Sequence, residues 1–503
     1  MSDVDANLAE ADVAANPAEA TVPDVFANGV LVTLQENRGQ SNADDLKSLI
    51  INLVMQFKEG RLKWKGNLTH TINDAVANID ELLSRQLSTV MANPGFRKLE
   101  GSWLGLQKLV RNSELGTSLK VKLFDASQEE LLTQFENAPA VDRSPLFNTF
   151  YQQEFGTAGG EPYGVLVGDM YFSYSDQDIT LLRYLAEVAA ASHCPFIAAA
   201  PSEMFELSSF VDLAEGRPVA TGFDDPLYGA WNAFRSCDDA RFVTLTMPRV
   251  LARLPYGTES NPVTQFNFEE LSRNKDGVCQ LDHERDFVWT NAAYELALNM
   301  TRAFSQSGWC TAIRGVDNGG RVENLPNFTY QSLSGDRLQF CPAEVNLTDE
   351  REKELSDLGF LPLVHYKGQN YAVFLGAQTA QKPQTYVEPE ITANAAISAR
   401  LPYVMASSRI AHYLKVMGRD HIGSNLTAED VEKQLKNWIG QYTNPNAVGN
   451  DARARCPLRE SQITVIEQKG RPGSYFVVAN LRPWLQMEEL TASLRTVAAI
   501  PSS

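Results

Sequence analysis

Positive charge is scarce in this chain. Its 503 residues carry 44 Lys and Arg against 62 Asp and Glu, a net charge of -18 at pH 7 with a pI near 4.9. So acidic a balance argues against a nucleic-acid partner, because phosphate neutralisation requires Lys and Arg. It argues equally against docking on an anionic membrane. Cysteine is also sparse. The six residues at 194, 237, 279, 310, 341 and 456 form no Cys-x-x-Cys pair. This pattern reads as reduced, mostly buried thiols in a cytoplasmic protein. Long apolar runs are missing too. Leu49–Phe57 and Phe196–Ala200 are too short to span a bilayer. The opening Met1-Ser-Asp-Val-Asp-Ala6 has neither the basic nor the apolar region of a signal peptide.

Catalytic templates are absent as well. There is no Gly-x-x-x-x-Gly-Lys-Ser/Thr, no His-Glu-x-x-His, no Gly-x-Ser-x-Gly and no Gly-x-Gly-x-x-Gly. His193 beside Cys194 is the one suggestive pair. Its flank reads as the end of a helix, where a His meets the negative end of the dipole. A catalytic Cys–His pair would need a third, orienting group. His412 and His421 lie near no carboxylate cluster with ligand spacing. Asn318-Gly-Gly320 reads as a turn, and Glu488-Glu489 as a solvated pair. No catalytic residue, cofactor site or metal site is expected.

What is present is size and apolar content. Hydrophobic residues make up 44% of the chain, enough for a large core and roughly two to four domains. Residues 1–45 hold nine acidic side chains against one basic, Arg38. They read as a mobile acidic arm with an apolar island, Val25, Phe26 and Val30 to Leu34, that is either a docking peptide or a segment tying the arm down. Helical periodicity follows at Leu46–Phe57, at Thr69–Met91 (Ile72, Val76, Ile79, Leu82, Leu83, Leu87 and Val90 on one face) and at Glu100–Val110. Asn93-Pro94-Gly95 reads as a helix stop. From residue 160 strands and helices interleave without a clean βαβ beat, so the expected class is α+β. Thr348, followed by Asp349, Glu350 and Glu352, predicts a capped helix. Gln378–Pro389 reads as a linker. The predicted division is 1–60 mobile arm, 61–380 outer α+β body, and 381–503 C-terminal domain.

The C-terminal domain is the most informative part. Ile463–Ile466 and Tyr475–Ala479 are β-rich, and the Gly470–Gly473 segment between them has turn chemistry. Leu490–Val497 reads as a further extended segment. The helix 428–442 places Leu435, Trp438 and Ile439 inward and Glu429, Glu432, Lys433 and Lys436 outward. That outer side is either a docking face or a plain solvated one. A small sheet with exposed edges recruits strands from other chains.

Several motifs identify a family. They are Phe96-Arg-Lys-Leu-Glu-Gly-Ser-Trp103, Pro162-Tyr-Gly-Val-Leu-Val-Gly-Asp169, Asp239-Ala-Arg-Phe-Val243 and Arg253-Leu-Pro-Tyr-Gly257. Further on come Gly308-Trp-Cys-Thr-Ala-Ile-Arg-Gly315, Cys341-Pro-Ala-Glu-Val345, Glu352–Phe360, Tyr413–Ser424, Cys456–Glu460, Lys469–Tyr475 and Leu481–Arg495. With them the chain resembles the large sheath subunit of type VI secretion systems, the TssC (VipB, ImpC) family. The family's usual basic residue after the Trp of the first motif is here Leu104. The resemblance implies a non-enzymatic machine part, cytoplasmic in bacteria and attached to a membrane-anchored baseplate. It implies a C-terminal phage-tail-sheath-like domain whose small sheet neighbouring subunits complete. The implied partners are the small sheath subunit (TssB/VipA), neighbouring sheath subunits, an Hcp-type inner tube, the baseplate, and a ClpV-type AAA+ unfoldase that grips an N-terminal segment. On that reading Val25, Phe26, Val30, Val32 and Leu34 would dock the unfoldase. Glu429, Glu432, Lys433 and Lys436 would face the tube. Ile463, Val465, Tyr475 and Val477 would build the inter-subunit sheet. The alternatives are a closed soluble adaptor and a hydrolase built on His193 and Cys194.

Overall fold

The structure, a computed structural model, describes residues 51, 55 and 68–486, apart from 215–217, 259, 272–280, 284, 332–335, 424 and 469–473. Contacts divide the chain into two compact units, Met1–Met91 with Tyr256–Ser272, and Ala92–Pro255 with Arg273–Ser503.

In the first unit, helix α1 (Leu68–Met91) forms where the apolar period predicted it. Ser84 Oγ donates to the Asn267 carbonyl at 3.3 Å. Leu87 and Met91 line a groove of about 370 Å³ together with Tyr256, Pro262, Val263 and Phe268. The Tyr256 N–H donates to the Glu270 carboxylate at 2.8 Å.

The second unit begins with α2 (Pro94–Asn112). The Asn93 side chain accepts from the N–H groups of Gly95 and Phe96, and Pro94 fills the first helical position. The predicted stop is therefore also a start, because a missing N–H costs nothing in a first turn. Helix α3 (Gln128–Asn137) carries a capping box from Ser127 and Glu130. Strand β1 (Leu166–Tyr171) leads through α4 (Asp176–Ser192) to the parallel strand β2 (Phe196–Ala199). Helix α5 (Gly229–Arg235) precedes β3 (Val243–Met247) and β4 (Val250–Leu251). Then come β5 (Trp289–Thr290), α6 (Ala292–Ser307), β6 (Arg321–Val322), β7 (Thr329–Gln331) and β8 (Arg337–Gln339). Helix α7 (Asp349–Asp357), capped by Thr348 as expected, precedes β9 (Phe360–His365) and β10 (Ala372–Phe374).

The main sheet runs β1-β2-β3-β9-β10-β6. Its first four strands are parallel, and β10 is antiparallel to both β9 and β6. The expected mixture of helix and strand is present. The β1–α4–β2 unit is a short parallel crossover. Longer excursions separate β2 from β3 and β3 from β9, which is why no regular βαβ beat shows in the sequence. Strands β2, β3, β9 and β10 are buried along their length, the pattern of a sheet covered on both faces. Phe360 sits in the core, stacked on Trp231 at 5.3 Å, with Phe205 at 4.9 Å and Phe223 at 5.9 Å.

The expected linker is not an open tether. Thr379 and Ala380 are buried, and the Ala380 N–H donates to the Val243 carbonyl. Thr379 Oγ1 donates to the Ala399 carbonyl and the Leu401 N–H to that of Ala377, so the segment closes into a loop around α8 (Pro389–Ser398). Helix α9 (Leu401–Asp420) follows, then α10 (Ala428–Gly440) and α11 (Asn450–Arg455). The hairpin of β11 (Leu458–Glu467) and β12 (Tyr475–Pro483) runs in register from Glu467↔Tyr475 to Leu458↔Pro483. Its ladder extends beyond the predicted segments, and its turn at 470–473 lies outside the described residues.

The aromatic cluster gives a direct test. Phe360→Ala should lower the unfolding free energy by about 3–5 kcal/mol in a denaturant titration. A loss below about 1 kcal/mol would contradict the packing described.

Candidate assembly surfaces

Helix α2 shows two opposed faces. Arg97, Gly101, Gly105 and Leu109 recur every fourth residue and are buried. A Cβ on Gly101 would collide with the Trp289 carbonyl, and one on Gly105 with Thr290 and Tyr294. The small side chains let the helix lie close against β5 and α6. Two ion pairs fix it there, Lys108 to Glu295 at 2.6 Å and Arg253 to Glu100 at 2.6 Å. The other face exposes Phe96, Leu99, Trp103 (58% exposed) and Val110. Helix α1 behaves alike within its own unit. The face that periodicity picked out is solvent-facing, with Ile79 at 50% and Leu82 at 60% exposure. Apolar stripes of this length on a surface mark contact sites.

The hairpin is the third such surface. Glu432 accepts from the Val465 N–H at 2.9 Å and also pairs with Lys436. Glu432 of α10 thus takes one outward N–H of β11 and the 442–444 segment pairs with its Leu458 end, whereas the edge of β12 is left without a partner among the described residues. Tyr475, Phe476 (57% exposed), Val477 and Val478 on β12 are exposed, together with Ile466 on β11.

The expected site residues separate on this geometry. Tyr475 and Val477 lie on the open strand, and Val465 is half-buried opposite Val477. Ile463 turns its side chain inward, fully buried against the core of Ile410, Val431, Leu435 and Ile439, so it anchors the hairpin and has only its backbone to offer a neighbouring strand. Glu429, Lys433 and Lys436 are exposed on α10, Lys436 paired with Glu432 one turn away, whereas Glu432 is half-buried and also takes the Val465 N–H. Val25, Phe26, Val30, Val32, Leu34 and the segment 490–497 lie outside the described residues. Sequence reading missed the outer face of α2. The Gly101/Gly105 spacing was its available signal, since it marks the opposite side as the packing side.

His193 and Cys194 form a joint. His193 ends α4 in the left-handed conformation, φ 50°. Burial pushes the Cys194 thiol far above its ordinary range, the reverse of what a nucleophile needs. His412 of α9 places Nε2 2.9 Å from the Ser192 carbonyl at the end of α4. Arg419 donates to the carbonyls of Phe155 and Thr157, at the end of a π-helix spanning Asn148–Phe155. The Lys415 ammonium lies 3.6 Å from the centre of the Phe155 ring. Helix α9 therefore meets two helix C-termini with cations or imidazole, a favourable alignment with their dipoles. Among the described residues no group of three or more His, Cys, Asp or Glu is placed to hold a metal ion. No described helix is long and apolar enough to cross a membrane.

Known proteins resemble the chain over most of its length. Residues 73–381 match the family model described as EvpB/VC_A0108, tail sheath N-terminal domain. Residues 390–500 match EvpB/VC_A0108, tail sheath gpW/gp25-like domain. The type VI secretion system sheath protein TssC1 of Pseudomonas aeruginosa is 41% identical over 438 residues, 86% of each chain. Among solved structures, a chain of the anti-feeding prophage baseplate aligns with TM-score 0.39 and 13% identity, covering 79% of this chain and 87% of that one. A chain of the contracted PVC sheath, from an extracellular contractile injection system, aligns with TM-score 0.38 and 11% identity, covering 76% and 89%. Family membership rests on the sequence matches.

The joint has a pH signature. Burial, followed by the charges of His193, Arg409 and Lys415, holds His412 down to about 4 against the opposing pull of the Ser192 carbonyl. The fold thus prefers neutral imidazole. Its stabilising share is complete above the unfolded value near 6.5 and disappears as pH falls toward 4. Stability should drop by roughly 2 kcal/mol more in the parent than in His412→Gln between pH 6.5 and 4.5. Parallel pH profiles for the two proteins would contradict the assignment.

Proposed function

The chain belongs to the EvpB/VC_A0108 tail sheath family, and from that premise we propose how it works in a type VI secretion sheath. It pairs with a small sheath subunit of the TssB/VipA kind, and the heterodimers stack helically in the cytoplasm around an Hcp-type tube. Contraction on a membrane-anchored baseplate drives the tube outward, and the subunit itself performs no catalysis. The division into an arm (1–60), an outer body (61–380) and an inner domain (381–503) belongs to this reading. So does the docking of a ClpV-type AAA+ unfoldase on Val25–Leu34.

One observation carries the proposal: the hairpin exposes apolar side chains beside a β12 edge that has no partner among the described residues, while Glu432 and the 442–444 segment take outward groups of β11. A strand donated by a neighbour would satisfy the β12 edge by main-chain pairing. Heterologous contacts of this kind propagate as an open helix where the rotation between neighbours does not close into a ring. The exposed outer face of α10, with Glu429 and Lys433, is assigned to the tube. Tubes built with Lys433→Glu should form but hold less inner tube. Equal tube content would remove that assignment.

The apolar faces of α1 and α2 are assigned to the small subunit. Co-expression of tagged small subunit with Ile79→Asp/Leu82→Asp should recover less than about a tenth of the parent heterodimer, since charges on a buried face are not tolerated. Undiminished recovery would assign those faces elsewhere.

A further inference from the structure

Charge in this acidic chain is segregated. Residues 400–486 contain twelve Lys and Arg against seven Asp and Glu, the reverse of the chain as a whole. Part of the excess gathers at the base of the hairpin. Arg453 and Arg455 project from α11, Arg459 from β11 and Arg482 from β12, and all four are exposed. The guanidinium carbons of Arg453 and Arg459 lie 4.7 and 5.7 Å from the Trp484 ring centre. Glu460 answers Arg482 at 3.2 Å and Arg459 at 3.9 Å. Beside the arginines stand two exposed apolar side chains, Leu485 next to Trp484 and Val448 (86% exposed) next to Ala447, whose carbonyl accepts from Arg453. An aromatic ring framed by arginines and apolar side chains has the composition of an interface centre.

The same unit carries a face of opposite sign. Glu203 and Glu206 belong to the 3-10 turn at Ser202–Phe205 and its cap, and Asp224 and Asp225 to the one at Ala220–Asp224 and its cap. Tyr228 draws the two turns together. Its hydroxyl donates to the Met204 carbonyl at 3.0 Å, and its ring stacks on Phe223 at 4.2 Å. Glu206 and Asp225 both act on the Tyr228 phenol, adding to burial in pushing it up to about 12. All four carboxylates are exposed, and among the described residues none is in an ion pair. Leu227, 45% exposed, lies among them.

We propose that the Arg-framed base of the hairpin docks on the acidic face around Leu227 of a second copy of this chain. Apolar centre meets apolar centre, Trp484 and Leu485 against Leu227, and guanidinium rim meets carboxylate rim. Charge complementarity selects this occupant. A polyanion such as nucleic acid would be repelled by the remainder of the chain. The two faces lie on different parts of one surface, so the contact is heterologous and propagates. It is electrostatic at its rim and therefore weakens with salt. The inference rests on the sheath reading and names one contact within it.

The test uses a charge exchange in the complex with the small sheath subunit. Arg455→Glu/Arg459→Glu and, separately, Glu206→Arg/Asp224→Arg should each still form the heterodimer. Each alone should give roughly a tenth or less of the parent's sedimentable polymer, because like charges now face each other. Mixed in equal amounts the two should polymerise again, since each reversed face then meets its complement. Arg455→Gln/Arg459→Gln, a milder change, should give an intermediate loss. Single reversals that polymerise like the parent would overturn the proposal, and so would a mixture that stays soluble. Reversed arginines that leave polymer intact but empty of inner tube would also overturn it, by assigning the patch to the tube. A parent complex that forms no polymer would defeat the sheath reading itself, a separate result.

Discussion

A two-stranded ladder satisfies one edge of each strand and leaves the other edges to be met from outside. Such a ladder is marginal in water unless something packs on it or pairs with it. Here half of the requirement is met internally. Helix α10 packs on β11, Ile463 fills its core, and Glu432 takes the Val465 N–H. The other half, the edge of β12 with Phe476 and Val478 beside it, has no partner among the described residues. The remaining features of the C-terminal region follow from the need to present that edge and hold it firmly.

Helix α9 does the holding. Its first turns lie in the cores around the main sheet, through Leu401, Val404 and Met405. Its later turns enter the hairpin's core through Ile410, Leu414 and Met417. Between them, His412, Lys415 and Arg419 bind to the ends of α4 and the π-helix. A pull on β12 therefore reaches the main sheet through packed side chains and helix ends, with no flexible tether between. Contraction on the proposed reading needs this property, because backbone pairing between subunits transmits force only if each subunit is stiff. Burial in the same joint gives the imidazole its acid sensitivity.

Much of the architecture was legible from residue patterns. The capped helix after Thr348, the helix end at His193 and the hairpin all follow from caps, periods and β-rich runs. Exposure was not legible. The apolar face of α1 reads identically whether it packs inward or waits for a partner, since periodicity reports a face and not its surroundings. The split on α10 was equally hidden, because Glu432 and Lys433 differ only in which has a strand within reach. Asn93-Pro94 served as stop and start together, and the 378–389 segment became a closed loop through hydrogen bonds across twenty or more residues of sequence. The motifs alone carry the resemblance to the family. That the Ile463 side chain faces the core is visible only in the packing.

The central claim is that β12 is completed by a strand from another subunit. Electron cryomicroscopy of the chain assembled with its small partner tests it most directly. The account predicts hollow helical tubes in which the β12 edge carries at least one added strand belonging to a neighbour. Discrete closed particles, or tubes in which the hairpin remains two-stranded and its Phe476 face meets only solvent, would contradict it.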